Sequence, residues 1–383
     1  MRRFSSRSQA HKYTRVSGDP MLTIDGSQGE GGGQVLRTAL ALSVLTGTAF
    51  RMENIRAGRE NPGLRPQHLA AIKATAQLCQ GTADGAEPGA QTLLFYPRAI
   101  KGGTMDIDIG TAGSVTLLLQ SLLLPALFAD KPSRITITGG TDVNFAMPVD
   151  YFAEVLLPHV RPWAEKVEFK VLRRGYAPAG QGKVELFVKP KLHRSSFATW
   201  NEFAAAVREQ LQPIELTEQG SLVFIRGVSH ASKDLESSRV AERQAHGAQD
   251  ALAKADVRIR SEYSETASTG SGITLWAVYS MNADDINSIR PIRLGADALG
   301  QKGFPAETVG KTAVRRLLEA MNSNAPADEH LADNLVPFLA LAGGIVTAER
   351  ITEHTKTNVT VAHLFLGESV RIENNALTTR RQA

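Results

Sequence analysis

Two stretches of this sequence follow one pattern. Leu22-Thr23-Ile24-Asp25-Gly26 reads as a strand and leads through a glycine-rich turn to Gly33. An apolar helical run from Val35 to Leu45 and a strand-like run from Ala49 to Ile55 complete the first stretch. Met105 to Ile109 leads through a Gly/Ser turn at Gly110 to Ser114 into a helical run from Val115 to Phe128 and a strand-like run from Arg134 to Thr138. The two starts, positions 23 and 106, lie 83 residues apart. Each stretch continues alike. An amphipathic helix over Pro66 to Gln80 precedes a strand at Thr92 to Tyr96, and a helix over Val149 to Trp163 precedes strands at Lys166 to Leu172 and Lys183 to Val188. Self-similarity at a fixed spacing constrains a fold more than any single element does.

The C-terminal part supplies the pattern a third time. A helix at Leu331 to Ala342 is followed by a strand-like run from Ile345 to Ile351, a helix at Asn358 to Leu366 and a short strand at Ser369 to Glu373. The expected fold is α+β, built from α/β repeats: three βαβαββ units form a large domain of residues 21–194 plus 326–383, with a smaller α/β domain inserted at 195–325 before the last unit. Within that insert, strands are expected at Ser221 to Val228 and Ile273 to Tyr279, helices near Ser237 to Ala255 and Pro305 to Met321, and a loop at Thr266 to Gly272.

With 383 residues and 42% hydrophobic content the chain can bury two cores. The formal charge of +4 is local. Residues 1–20 carry Arg2, Arg3, Arg7, Lys12 and Arg15 against Asp19, and taking these away from 43 basic and 39 acidic residues leaves 38 of each. A neutral body offers no global field for nucleic acid, so an RNA ligand needs a local cluster. The tail lacks an apolar core and is not a secretory signal; it reads as a disordered segment, with Met21 as a second candidate start and a transit peptide as a weaker reading. No apolar run is long enough to span a bilayer, since Val115 to Phe128 is broken by Gln120, Ser121 and Pro125, so the cytoplasm is the default location. The single cysteine, Cys79, excludes an internal disulfide and falls on the helical stripe Leu69, Ile72, Ala76, which places it in a core.

The candidate chemistry centres on His354. It sits in Ile351-Thr352-Glu353-His354-Thr355-Lys356-Thr357-Asn358, where the apolar strand-like run gives way to a helix. A helix N-terminus favours phosphate, and a histidine beside a phosphate is a ligand, a proton donor or a nucleophile. The loop Gly29-Glu30-Gly31-Gly32-Gly33-Gln34 is a weak signal alone, because it lacks the ending of a P-loop and the spacing of a dinucleotide fingerprint. Arg37, early in an otherwise apolar helix, must be paired or face a ligand. Gln120, among six leucines, must meet a backbone group or a ligand. Arg56, Arg59, Arg65, Gln67 and His68 span a turn and a helix start with Pro66 near its first position, and arginine forks suit phosphate oxygens. Asp333 and Asn334 open an apolar helix, where a carboxylate also serves as a cap. His159, His193, His230 and His246 are expected at the surface, and His363 in a structural role.

Assembled in order, these motifs resemble the RNA 3′-terminal phosphate cyclase family over about residues 21–383. The match runs through Asp25-Gly26, Gly29 to Gln34, Leu36-Arg37, Ile55 to Arg59, Pro62-Gly63-Leu64, Gln67-His68-Leu69, Gly110 to Ser114 with Gln120, Gly139-Gly140-Thr141-Asp142, Leu331-Ala332-Asp333 and the His354 turn. The resemblance implies an ATP-dependent ligase that converts an RNA 3′-phosphate to a 2′,3′-cyclic phosphodiester and releases AMP and pyrophosphate. It implies that His354 is the adenylated histidine, that Gln120 and the segment His330, Leu331, Ala332, Asp333 and Asn334 contact the nucleotide, and that Arg37, Arg56, Arg59, Gln67 and His68 line the site around the RNA end. It implies Glu30 near the metal, Mg²⁺ or Mn²⁺, with ATP and an RNA bearing a 3′-phosphate as substrates. No membrane partner is implied, and a homodimer is one assembly left open.

Two departures from the family pattern bear on nucleotide preference. His330 stands where relatives commonly have an aromatic residue, and Asn334 where they commonly have Gln. Three rivals are a catalytically silent relative that binds RNA in ribosome assembly, an enolpyruvyl transferase and a plain RNA-binding module. The silent relatives lack the histidine, the transferases have six units without such an insert, and the neutral body and few aromatic residues argue against the binding module.

Overall fold

The computed structural model describes residues 21–29, 32–252, 255–282 and 290–379. Three four-stranded sheets share one strand order. The first joins β1 (Leu22–Asp25), β2 (Phe50–Glu53), β3 (Thr82–Asp84) and β4 (Leu93–Tyr96) in the order β1-β2-β4-β3. The second joins β5 (Thr104–Asp108), β6 (Ser133–Gly139), β7 (Ala164–Arg173) and β8 (Gly182–Pro190) in the order β5-β6-β8-β7. The third contains β9 (Ile214–Leu216), β14 (Gly344–Thr347), β15 (Val370–Glu373) and β16 (Ala376–Thr379), ordered β9-β14-β16-β15. In each, the first two strands pair in parallel and the others antiparallel. A parallel pair needs a crossover, and α1 (Gln34–Thr46) and α3 (Val115–Ala126) provide it in the first two sheets.

Between β9 and the rest of the third sheet lies a fourth sheet, β11-β10-β12-β13, made of β10 (Ser221–Ser232), β11 (Val257–Ser264), β12 (Ser271–Ser280) and β13 (Ile292–Leu299). Helices α7 (Val240–Ala251) and α8 (Ala306–Asn322) pack on it and on each other. This corrects the expected start of the insert at 195. Both α6 (Trp200–Gln210), which packs on α9 (Glu329–Ala342), and β9, which pairs with β14, fall inside 195–325 yet belong with the third sheet.

Two expected elements have different bounds. The helix expected over Val149 to Trp163 is broken into α4 (Val149–Tyr151), a π-turn at Phe152–Leu156, α5 (Leu157–Val160) and a 3₁₀ turn at Arg161–Trp163. Pro158 and Pro162 have no N–H to give and interrupt regular bonding. The strand expected to Ile351 ends at Thr347, and α10 (Glu353–Leu366) starts five residues before the expected Asn358. Thr352 caps it: the Thr352 hydroxyl accepts from the Thr355 N–H at 3.0 Å, and the Thr355 hydroxyl accepts from the Thr352 N–H at 3.3 Å.

The core is where the first helix of each unit meets the others. Every residue from Val35 to Leu45 in α1 is buried, and α3 and α9 are almost as fully enclosed. Helices apolar all round belong in an interior. α1 packs on α3 and α10, α3 on α9, and α9 on α10, while α2 (Pro66–Leu78) covers α3. Cys79 is buried there, as expected. His159 and His230, expected at the surface, are buried. Burial and the charge of Arg293 push the His159 imidazole down to about 3, so it packs as a neutral ring. His230 stacks on Tyr176, with ring centroids 5.8 Å apart, and shares a 2.8 Å hydrogen bond with the Tyr176 hydroxyl. Among the described residues no helix is long and apolar enough to cross a membrane.

The fourth sheet is fastened to the second unit by Arg174. This guanidinium is buried and donates to Asp142 at 3.1 Å, to Asp150 at 2.7 Å and to Glu262 on β11 at 2.6 Å. Ligand atoms of Asp142, Asp150 and His230 lie within 4.8 Å of one another, a spacing that would suit a cation. Arg174 bonds both carboxylates, so its guanidinium already holds the place a metal would take.

Candidate active site

The N-terminal turns of five helices converge on one cavity of about 730 Å³. From α1 come Gln34 and Arg37, from α2 Pro66, Gln67 and His68, and from α3 Leu117 and Gln120. From α9 come His330, Asp333 and Asn334, and from α10 comes His354. Each helix points the positive end of its dipole here, so their convergence favours an anion. The helices start here because strand ends and glycine turns stop here: Gly33 precedes α1, Ser114 caps α3 through its hydroxyl, and Asp328 caps α9 by accepting from the Leu331 N–H at 2.9 Å.

Arg37 is buried in this wall. Its Nε donates to Gln120 Oε1 at 2.7 Å and its Nη2 to Gln34 Oε1 at 2.8 Å. Burial lowers its pKa to about 10, which leaves it charged at neutral pH. Gln120 donates onward to Asn334 Oδ1 at 2.8 Å, and Asn334 donates to the His330 carbonyl at 2.7 Å. Gln120 is expected to meet a backbone group or a ligand; its partners Arg37 and Asn334 are instead side chains from two other units, which lock α1, α3 and α9 in register.

His68 is buried and neutral. Its Nδ1 accepts from the Arg65 N–H at 3.0 Å, which leaves the proton on Nε2. Burial, with the charges of Arg37, Arg56 and Arg65, pushes its pKa down to about 3. Nε2–H is therefore a neutral donor beside Gly33. Arg56 has a left-handed backbone at φ 55°, and its pKa is lowered by burial and by Arg59 and Arg65. Cations held this close call for an anionic ligand.

Gly33 has an ordinary backbone (φ −73°) but no room for a side chain: an added Cβ would collide with His68 Nε2 and sit 2.7 Å from Arg37 Nη1. Gly33→Ala is expected to push both donors aside and weaken pyrophosphate binding about 10-fold or more, with little loss of stability. Calorimetric titration with pyrophosphate, alongside a thermal melt, checks this; unchanged affinity would show that the loop yields instead.

Asp333 was expected as a possible cap, but it does other work. Asp333 Oδ1 accepts from the Thr352 hydroxyl at 2.7 Å and from the Thr355 hydroxyl, and its carbonyl accepts from Asn358 Nδ2 at 2.8 Å. Asn358 Oδ1 in turn accepts from Thr38 of α1 at 2.6 Å. Burial raises the Asp333 carboxyl, and the two hydroxyls oppose that rise. This chain of bonds ties the start of α10, the turn that carries His354, to α9 and α1. His354 is half-buried in the first turn of α10, on the helix itself rather than in the turn before it.

The lining of the cavity falls into two groups. Arg37, Arg56, Arg59, Arg65 and His68 form one, close enough for their charges to act on one another. The other joins Tyr151 and His330, edge to face at 6.4 Å, to Asp297 and Arg316; Phe145, fully exposed at φ 62°, also lines the cavity. Asp297 and Arg316 come from β13 and α8 of the fourth sheet, and no local sequence signal marked them. Leu331 and Ala332, expected at the nucleotide, are buried in the core instead and do not line the cavity. Glu30, the expected metal carboxylate, lies outside the described residues.

The family model for RNA 3′-terminal phosphate cyclase matches residues 28–372. The chain belongs to the RNA 3′-terminal phosphate cyclase family. An RNA 3′-terminal phosphate cyclase of Archaeoglobus fulgidus is 43% identical over 361 residues, covering 93% of this chain and 99% of the relative. Proteins of the same name from Caldivirga maquilingensis (44% over 365 residues, 92% of this chain and 95% of the relative) and Pyrococcus abyssi (42% over 350 residues, 91% and 94%) are similar throughout. Family membership makes the chain an enzyme of the ligase class, and the mixed α/β architecture agrees with it.

Proposed function

We infer that this cyclase-family enzyme uses ATP to close an RNA 3′-terminal phosphate into a 2′,3′-cyclic phosphodiester through a covalent His354–AMP. The observation that supports this reading most is His354 on the first turn of α10, opening on a cavity lined both by a cluster of arginines and by the Tyr151–His330 ring pair. That combination suits a nucleoside triphosphate lying with its phosphates at the arginines and its base at His330.

An imidazole nitrogen of His354 attacks the α-phosphorus of ATP, a P–N bond forms, and the bond to the leaving pyrophosphate breaks. Arg37, Arg56, Arg59 and the Nε2–H of His68 stabilise charge on the phosphates, while Gln67 lines the same cavity. An oxygen of the RNA 3′-phosphate then takes the adenylyl group, breaking the P–N bond. The neighbouring 2′-hydroxyl attacks the activated 3′-phosphorus, loses its proton and expels AMP. A vicinal hydroxyl has a high effective molarity, so orientation is most of what the last step needs, and the need for a 2′-hydroxyl selects RNA over DNA. Gln120, Asp333 and Asn334 position the wall against which the nucleotide lies.

The donors of the arginine group, its guanidiniums and the neutral Nε2–H of His68, fit phosphate oxygens and not a metal; Glu30, on the strength of the family resemblance, is the carboxylate we assign to Mg²⁺ or Mn²⁺. Such an ion, when bound, offsets charge on the leaving pyrophosphate. The silent-relative reading has no support from the comparisons.

The test uses ATP labelled at the α-phosphate and an RNA ending in a 3′-phosphate. Acid-labile, alkali-stable label on the protein, followed by an RNA end that resists phosphatase, is the expected result. Absence of both would overturn the reading.

A further inference from the structure

We propose that Asp297, which the fourth sheet places in the cavity, accepts a hydrogen bond from the amino group on the six-membered ring of adenine and so sets this enzyme's choice of nucleotide. The inference rests on the adenylylation reading above and names the base that site prefers.

The position follows from the charge map. A carboxylate repels phosphates, and four of the five arginines lining the cavity, Arg37, Arg56, Arg59 and Arg65, belong to the group around His68 and not to that of Asp297. Asp297 interacts electrostatically with His330 and Arg316. It lines the cavity together with the Tyr151–His330 ring pair. Flat rings here offer a surface for a flat base.

The carboxylate is also short of donors. No hydrogen bond or ion pair from the described residues reaches it; Arg316 donates at 2.7 Å to the Asp297 backbone carbonyl instead. Burial raises the carboxyl to about 6, so at neutral pH it is mostly ionised and can only accept. A desolvated acceptor facing a ligand cavity is stabilised by a ligand donor. Adenine supplies one in its amino group. Guanine and hypoxanthine put a carbonyl oxygen at that position, acceptor against acceptor. Asp297 is held firmly for the task, because β13 pairs with β12 along its length and the N–H of Gly295, two residues earlier on the same strand, donates to Asp328, the cap of α9, at 2.9 Å.

The measurement is the rate of protein adenylylation, as kcat/KM, with ATP, inosine triphosphate, purine riboside triphosphate (which carries no amino group), and 2′-deoxy- and 3′-deoxy-ATP. The native enzyme is expected to favour ATP over purine riboside triphosphate by about 10- to 100-fold, a comparison that needs no variant. In Asp297→Ala that ratio should collapse toward unity. In Asp297→Asn, whose amide can donate, the inosine nucleotide should gain on ATP. The ratios for the deoxy nucleotides should not move. An unchanged ATP-to-purine-riboside ratio in Asp297→Ala would overturn the proposal, and so would a change confined to the deoxy nucleotides, which would assign Asp297 to the ribose. Absence of label from every nucleotide would instead bring down the adenylylation reading itself.

Discussion

His354→Ala is expected to abolish transfer of AMP to the protein and to lower cyclisation by at least about 10⁴-fold. No other group in the cavity can replace an imidazole that forms the bond itself. Asp333 is buried and bound by two threonine hydroxyls, and His68 is a neutral donor among the arginines. His330 is exposed on α9 and is the control: His330→Ala should keep the label and alter only nucleotide affinity. The melting temperature of His354→Ala should stay close to that of the native chain, because a half-buried residue in a first turn carries little packing. Quantifying α-phosphate label on both variants decides the matter. Label retained on His354→Ala would require a different nucleophile.

Arg174→Met should cost about 3–5 kcal/mol of stability at neutral pH, the largest structural penalty foreseen for a single change here. It would leave Asp142, Asp150 and Glu262 facing one another without the buried cation that binds them. Burial alone would raise the Asp142 carboxyl, but the charges of His230 and Arg174 outweigh it and hold the group well below the usual carboxylate range. Burial would likewise raise Glu262, and Arg174 brings it down. In the native chain this stabilisation is present above the carboxylates' unfolded pKa of about 4 and fades as pH falls through the lower folded values. Without Arg174 the sign reverses: orphaned carboxyls hold their protons, so the variant's deficit should shrink toward pH 5 and grow toward pH 8. Urea titrations at those two pH values check the direction. A deficit independent of pH would mean that lost packing, not charge, is the cost.

The apolar helices and glycine turns of the first two units were legible because α1 and α3 are enclosed on all sides and their sequences are correspondingly uniform. Arg56, Arg59, Arg65, Gln67 and His68 could be grouped from the sequence because a turn and a helix start bring near neighbours together, whereas Arg37, on another helix, joined them only through the family resemblance. What escaped notice had no local mark. β9 is three residues long, and only its distant partner makes it a strand. The start of α10 was missed because its cap pairs two threonines where a Glu or Gln is the usual signal. Leu331 and Ala332 came in with a block of sequence, but successive residues on a helix turn through about 100°, which carries both into the core while His330 and Asn334 face the cavity. Asp297 and Arg316 are ordinary charged residues until the fourth sheet folds against the others. Buried His230 looked like a surface histidine because its partners, Asp142 and Tyr176, lie far away in sequence.

The position of β9 has a consequence for how the chain is made. Its partner strand β14 is synthesised only after the whole of the fourth sheet, and α10, which bears His354, comes later still. A ribosome therefore makes His354 after every other described residue that lines the cavity. On the mechanism proposed above, a product of translation interrupted before α10 would have the residues of the other walls and lack the one that takes the adenylyl group from ATP.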